Sequence, residues 1–202
     1  MKIFIFDTET TWFIDKKNSS LDMQPYIVQF AWIYWEIKNN DFVEIKRVNQ
    51  MIKPKIPIPY VASQVHHIYD IDVQNAPSIQ ECIESFLYLI NESDAIVWHN
   101  IEYDIDMIKL ELKRLHREFD YHPKQIICTM KQTVDFCALA WNGNRFKYPK
   151  LSELYKKLFW QYFIWAHDAI VDVEATLQSF MELYKQKIIH VNEKKHHTMS
   201  LF

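Results

Sequence analysis

Asp7 and Glu9 close an apolar run, Ile3-Phe4-Ile5-Phe6, and stand two residues apart. Residues two apart on a β-strand face the same way, so the pair would present two carboxylates side by side. After Lys2 the run carries no other charge. Like charges held that close repel, and partial burial makes the repulsion costlier. A divalent cation relieves it, because hard oxygen donors suit Mg2+ or Mn2+. Two ordinary solvated acids at a strand end would have the same spelling, and this motif alone leaves both readings open.

Two later segments bear on the choice. Asp94-Ala95-Ile96-Val97-Trp98 reads as a short buried strand that runs through His99-Asn100 into a helix. Ile105, Ile108, Leu112 and Leu115 give that helix its apolar spacing. Asp104 falls where the helix begins, placed to point back at the strand ends. Further on, His167 and Asp172 are five residues apart, which on an ideal helix separates them by about 140°. They could not share one face of a regular helix. With Asp168 as N-cap the conflict disappears: Asp172 lies in the helix, and His167 stands on the loop before it, free to swing.

These three segments, in this order, resemble the DEDDh 3′–5′ exonucleases. That family includes the proofreading subunit of the bacterial replicative polymerase, RNase T and oligoribonuclease. Asp7-x-Glu9 resembles the first family motif, His99-Asn100 with Tyr103-Asp104 the second, and His167-x-x-x-x-Asp172 the third, whose offset marks the subclass. Weaker likenesses at Pro25–Trp32, Val65–Ile68, Cys128–Met130 and Leu151–Leu154 extend the resemblance from residue 3 to about residue 184. Where the family usually has glycine, this chain has Trp12 after the threonines and His67 after the first histidine of Val65-His66-His67-Ile68. Glycine permits backbone conformations that Trp and His adopt reluctantly. The whole chain has one glycine, Gly143.

The chemistry follows from the residue types. Asp7, Glu9, Asp104 and Asp172 can hold two divalent ions, which two-metal phosphodiester sites place about 3.5–4 Å apart. One ion lowers the pKa of a bound water and the other stabilises the leaving 3′-oxygen. A base must still take the water's proton, and histidine is the usual one. His167 is the candidate, and the resemblance assigns it the same role. The expected reaction is release of nucleoside 5′-monophosphates from single-stranded 3′ ends, of DNA first and RNA as the alternative. The resemblance implies that the residues just after the first motif meet the terminal base, so Thr10, Thr11 and Trp12 are expected at substrate, as are His99 and Asn100. For His99, hydrogen bonding within its own turn is the slightly favoured alternative. His66 and His67 read as ordinary loop histidines, with a place in the substrate groove as the alternative, Phe30 reads as core, and Asp106, Asp135 and Glu174 as surface acids. A binding module of the same fold without catalysis would have lost one of the acids or the histidine; all five are present.

The elements needed to position these groups are legible in outline. Strands are expected at 2–7, 26–37, 42–52, 94–98 and 125–129. Helices are expected at 78–92 (capped by Ser78), 104–118, 130–140, 151–159 and 169–187. Lys38-Asn39-Asn40-Asp41 is a polar hairpin turn, and 54–59 is a proline-rich loop. This is an α/β chain, and the resemblance implies an RNase H-like mixed sheet flanked by helices, one exonuclease domain over residues 1–187. The 202 residues, 49% hydrophobic, suffice for one large core. Cys82, Cys128 and Cys137 lack metal spacing and read as reduced thiols of a cytoplasmic protein. No apolar run approaches a membrane span. The net charge of −3 argues against a protein that coats nucleic acid electrostatically. Residues 188–202 are expected to form a Lys/His-rich tail. Its end, Thr198-Met199-Ser200-Leu201-Phe202, resembles the peptides by which bacterial replication proteins bind the sliding clamp. Met199, Leu201 and Phe202 would be the anchors, with a polymerase subunit or the clamp as partner.

Overall fold

β1 (Lys2–Thr10) feeds both layers of the fold. Its even positions, Phe4 and Phe6, join one apolar cluster and its odd positions, Ile3 and Ile5, join another. That is the two-residue alternation of a strand buried on both faces. β2 (Ile27–Lys38) pairs with it antiparallel, and β3 (Asp41–Met51) pairs with β2 antiparallel, with Asp41 opposite Lys38. A computed structural model describes residues 1–39, 41–100, 102–119, 125–143, 145–163 and 167–191.

After β3 come two short helices, α1 (Tyr60–His66) and α2 (Asp70–Val73), then α3 (Ile79–Glu92). β4 (Ala95–Trp98) lies parallel to β1, α4 (Glu102–Arg114) follows, and β5 (Ile126–Cys128) lies parallel to β4. α5 (Thr129–Gln132), α6 (Val134–Cys137), α7 (Leu151–Phe159) and α8 (Ala169–Lys185) complete the described elements. The strand order is β3-β2-β1-β4-β5. α3 and α4 cover one face, with Phe86 at its centre, 5.2, 5.0 and 4.8 Å from the rings of Phe4, Phe6 and Phe30. α7 and α8 cover the other through Leu154, Val173, Leu177 and Phe180. Each such fully buried side chain contributes about 1.5–3 kcal/mol. This is the mixed sheet flanked by helices expected from the sequence.

Several local expectations are corrected. The Pro-rich loop is followed by α1 and α2, which were not anticipated. α4 begins two residues early and stops at Arg114, where His116 turns left-handed at φ 55°. The single helix expected at 130–140 is two separate turns. Thr133 breaks it by donating its hydroxyl to the Thr129 carbonyl (2.7 Å), and Ala138 ends it at φ 51°. Trp12 has no left-handed backbone, whereas His67 does, at φ 59°, as the residue that ends α1. The packed chain also runs past the boundary at 187: Ile189 is fully buried, and Ile188 and Val191 lie against the α8 cluster. Among the described residues no helix is long and apolar enough to cross a membrane.

Candidate active site

The parallel strands β1 and β4 end side by side, the usual place for a site in an α/β sheet. Asp7 and Glu9 continue the odd face of β1, toward α8, where Asp172 lies one turn into the helix. Thr8, between them, continues the even face toward α4. Its backbone N–H and its hydroxyl both donate to Asp104 Oδ1, at 3.1 and 2.7 Å. The two carboxylate sources therefore reach the strand end from opposite layers of the fold. A register shift between Glu9 and Thr10 marks a bulge at the end of the motif, a device that re-aims side chains.

α8 is set by its N-cap. Asp168 Oδ1 accepts from the Ile170 N–H (3.3 Å) and from Gln29 Nε2 (2.8 Å), and Gln29 Oε1 accepts the Ala169 N–H (3.0 Å). Gln29 is buried on β2 directly opposite Glu9, so one side chain fastens the start of α8 to the strand pair carrying the first motif. His167 stands just before the cap, exposed, with φ 71°. Its backbone N–H donates to Asp172 Oδ2 (3.0 Å). Ligand-type atoms of Glu9, His167 and Asp172 all lie within 4.8 Å of one another.

The acids perturb each other strongly. Burial first, then Asp104, Asp172 and Glu9, raise Asp7 well above the usual carboxylate range. Burial and the charges of Asp172 and Asp104 push Glu9 up to about 8. Burial raises Asp104 to about 7 against the opposing Thr8 hydrogen bonds, and raises Asp172 to about 6 against the His167 amide. No lysine or arginine among the described residues forms an ion pair with any of the four. A cluster of hard oxygens, desolvated and lacking a cationic side chain, fits divalent metal.

The residues expected around the site separate. Trp12 is 50% exposed and lines a cleft with Glu9, Thr10, Phe13, Val65, Tyr103 and His167. Tyr103 shapes that cleft: its hydroxyl donates to the Trp12 carbonyl (2.6 Å) and lies 2.6 Å from Thr10 Oγ1. Thr11 does not face substrate. It is 1% exposed, and its hydroxyl accepts the Tyr26 N–H at 2.9 Å. Asn100 is exposed at φ 69°, a conformation that asparagine tolerates well.

His99 lines a second cleft with Asp7, Asp172 and His167, yet both its nitrogens have protein partners, the Thr129 hydroxyl (3.0 Å) and the Pro149 carbonyl (2.9 Å). Burial holds its pKa down at about 4. Nε2–H therefore donates to the Pro149 carbonyl, and Nδ1 lies against the Thr129 hydroxyl, which itself donates to the Trp98 carbonyl (2.9 Å). The ring ties β4 to the approach of α7 and has no free nitrogen for a nucleotide.

Sequence reasoning missed Thr8 and Gln29, and it placed His66 in a loop. The alternation of β1 would have turned Thr8 toward α4. His66 is no loop residue: it ends α1, buried, and lines the Trp12 cleft. Its Nδ1 accepts the Ile68 N–H (3.1 Å), which leaves the proton on a buried Nε2 near the Thr10 carbonyl. Asp168 is a cap as expected. Glu174 is on the surface but pairs with Arg47. Met199, Leu201 and Phe202 lie outside the described residues.

Comparison with known proteins gives this geometry its context. The RNase T family model, described as Exonuclease, matches residues 4–180. The DNA polymerase III PolC-type of Clostridium perfringens (strain 13 / Type A) is 25% identical over 203 residues, 94% of this chain; the chain spans 12% of that polymerase's length. The nuclease domain of 3′hExo, a DEDDh family member bound to rAMP, superimposes with a TM-score of 0.72 at 13% identity, covering 95% of this chain and 96% of that one. Exonuclease X in complex with 5′ overhanging duplex DNA gives 0.56 at 22% identity, covering 94% and 95%. A zinc-bound E. coli ExoI–ssDNA complex gives 0.68 at 15% identity, covering 92% and 41%. Exonucleases of this kind use divalent metal ions. A family match running from the first apolar strand well into α8 makes this chain a member of the RNase T exonuclease family, a hydrolytic nuclease.

Proposed function

We propose that the chain is a metal-dependent 3′–5′ exonuclease that releases nucleoside 5′-monophosphates from single-stranded ends, with DNA as its substrate. The observation that carries this reading is the convergence of Glu9, His167 and Asp172 within 4.8 Å, beside two further desolvated acids, Asp7 and Asp104. Asp7, Glu9, Asp104 and Asp172 would hold two divalent cations, Mg2+ or Mn2+. When bound, the cations supply the charge stabilisation that the phosphate and the leaving 3′-oxygen need. The chain's own groups do the rest. His167 takes the proton of the attacking water as the oxygen–phosphorus bond forms and the bond from phosphorus to the 3′-oxygen breaks. Thr8 aims Asp104 and favours its ionised form against the pull of burial. Trp12 and Phe13, their rings 5.7 Å apart, offer stacking surface to the terminal base, and the Tyr103 contacts fix the turn they stand on.

DNA is favoured over RNA because a curated relative, 25% identical over 94% of this chain, is a DNA polymerase. That likeness also favours work beside DNA synthesis. The test is digestion of matched end-labelled single-stranded DNA, mismatched duplex DNA and short RNA with Mg2+ or Mn2+. Metal-dependent release of 5′-monophosphates from the 3′ end, fastest on DNA, is expected. Activity that persists in excess EDTA, or products carrying a 3′-phosphate, would refute the reading.

A further inference from the structure

Downstream of β5 the chain changes character. Residues 136–167 hold five lysines and arginines against a single acid, Glu153, in a chain whose formal net charge is −3. The same stretch carries ten aromatic residues, more than its share of the core can absorb. Tyr155 is buried, with the rings of Phe159 and Phe163 at 4.5 and 5.2 Å. Trp141, Phe146, Tyr148, Trp160 and Tyr162 are left exposed, Tyr148 by 59% and Trp160 by 89%. Exposed rings clustered in one basic stretch are the mark of a binding surface rather than of scattered surface residues.

This stretch is built onto the active site. Lys150, Leu151, Ser152 and Phe163 line the same cleft as Asp7, His167 and Asp172. The His99 bond to the Pro149 carbonyl holds the backbone between Tyr148 and Lys150 against the end of β4. The preceding hairpin is closed by the Trp141 N–H to the Arg145 carbonyl and the Lys147 N–H to the Leu139 carbonyl, both 2.9 Å. Lys147 Nζ, 2.5 Å from Glu153, fastens it to α7. From the last turn of α7, Lys156 lies 4.3 Å from the centroid of the Tyr162 ring beyond it and donates to its hydroxyl at 2.6 Å.

The two sides of the site differ in charge. The Trp12 side is lined by Thr8, Thr10, Val61, Val65 and aromatic rings, with no lysine or arginine among the described lining residues. The α7 side presents Lys150 at the mouth of the cleft and further lysines beyond it. A base suits the first side. A phosphate backbone leaving the carboxylates suits the second, because each phosphate there meets a cation instead of an apolar wall.

We propose that the wall formed by residues 145–152 and 160–163 binds the unpaired strand on the 5′ side of the nucleotide being removed. Its exposed cations, Arg145 and Lys150, meet successive phosphates, and its exposed rings stack on bases without regard to sequence. The direction of the strand rests on the exonuclease reading above; the surface itself does not.

The test compares the parent with Tyr148→Ala/Trp160→Ala and with Lys150→Ala on two substrates. One is the p-nitrophenyl ester of thymidine 5′-monophosphate, which has no 5′ strand. The other is an unpaired DNA oligonucleotide of about ten nucleotides, whose binding is also followed by fluorescence anisotropy in Ca2+. For the aromatic double variant, kcat/KM on the ester should stay within about twofold of the parent. Its KM and Kd for the oligonucleotide should rise about tenfold or more. Lys150→Ala should weaken oligonucleotide binding and flatten its salt dependence. Unchanged oligonucleotide KM and Kd, or equal losses on ester and oligonucleotide, would overturn the proposal. If the parent hydrolyses neither substrate, the exonuclease reading fails, and the anisotropy alone decides the wall: loss of binding in the variants upholds it, and parent-like binding rejects it.

Discussion

Thr8 is the residue that a motif written Asp-x-Glu leaves blank, and it does the positioning. Both of its donors converge on one oxygen of Asp104, which would fix that carboxylate before any cation arrives. Thr8→Val keeps the shape and removes the hydroxyl. The variant should fold, keep its kcat at saturating Mg2+ or Mn2+, and need about 10–100-fold more metal for half-maximal activity; a metal titration of the rate checks it. His167 makes a contrasting prediction. As general base it should lower kcat by about two to four orders of magnitude when replaced by alanine, with metal affinity nearly unchanged because the four acids remain. Calorimetric metal binding beside single-turnover rates separates the two. At this scale the sequence was readable where a side chain has only one plausible task, as with paired acids at a strand end. It misled at Thr11 and His99. A threonine just past a strand and a histidine in a turn look available, and only the fold shows that Tyr26, Thr129 and Pro149 already claim them.

Elements bring the groups together, and the start of α8 is the critical join. Gln29 there uses both ends of its amide, donating to Asp168 and Asn49 and accepting from Ala169. Gln29→Leu would leave the Ala169 N–H unpaired in a buried setting at a cost of about 1–3 kcal/mol, and would free the turn that carries His167. The variant should lose stability by that amount and lose kcat beyond what the stability loss explains. Asp168→Ala, a cap removal, should cost about 1 kcal/mol. Thermal unfolding and rates measured well below the transition distinguish the two. The Gln29–Asp168 contact joins residues far apart in the chain, so periodicity could not reveal it. Periodicity did reveal α3 and the long strands, where local spacing and burial agree and Ser78 announces the helix start. It failed at α5 and α6, where one hydroxyl bond to the preceding turn outweighs helix propensity, and at α1, which begins right after a proline-rich run.

At the scale of the whole molecule, the site is a burden on the metal-free fold. An unfolded chain ionises its carboxylates near pH 4, whereas the folded one holds protons on Asp172 up to about 6, on Asp104 up to about 7 and on Glu9 up to about 8. Between those limits the native state binds more protons than the unfolded state, so stability must fall as pH rises from about 4 to about 8. His99 works in the opposite sense. Its folded pKa of about 4 lies below its ordinary value, so its neutral burial stabilises at neutral pH and is lost as pH falls below about 6.5. In EDTA the melting temperature should therefore peak in the mildly acidic range and decline by several degrees toward pH 8, at roughly 2–4 °C per kcal/mol for a chain of this size. Divalent cations displace those protons, so Mg2+ or Mn2+ should reverse the slope and stabilise most at high pH. Glu9→Gln should flatten the decline in EDTA and raise the melting temperature at pH 8 while abolishing cleavage, because it removes one of the repelling charges along with a ligand. Melting curves from pH 5 to pH 8, with and without metal, check all of this. A metal-free protein whose stability instead rises steadily to pH 8 would show that the four carboxylates do not share one desolvated site.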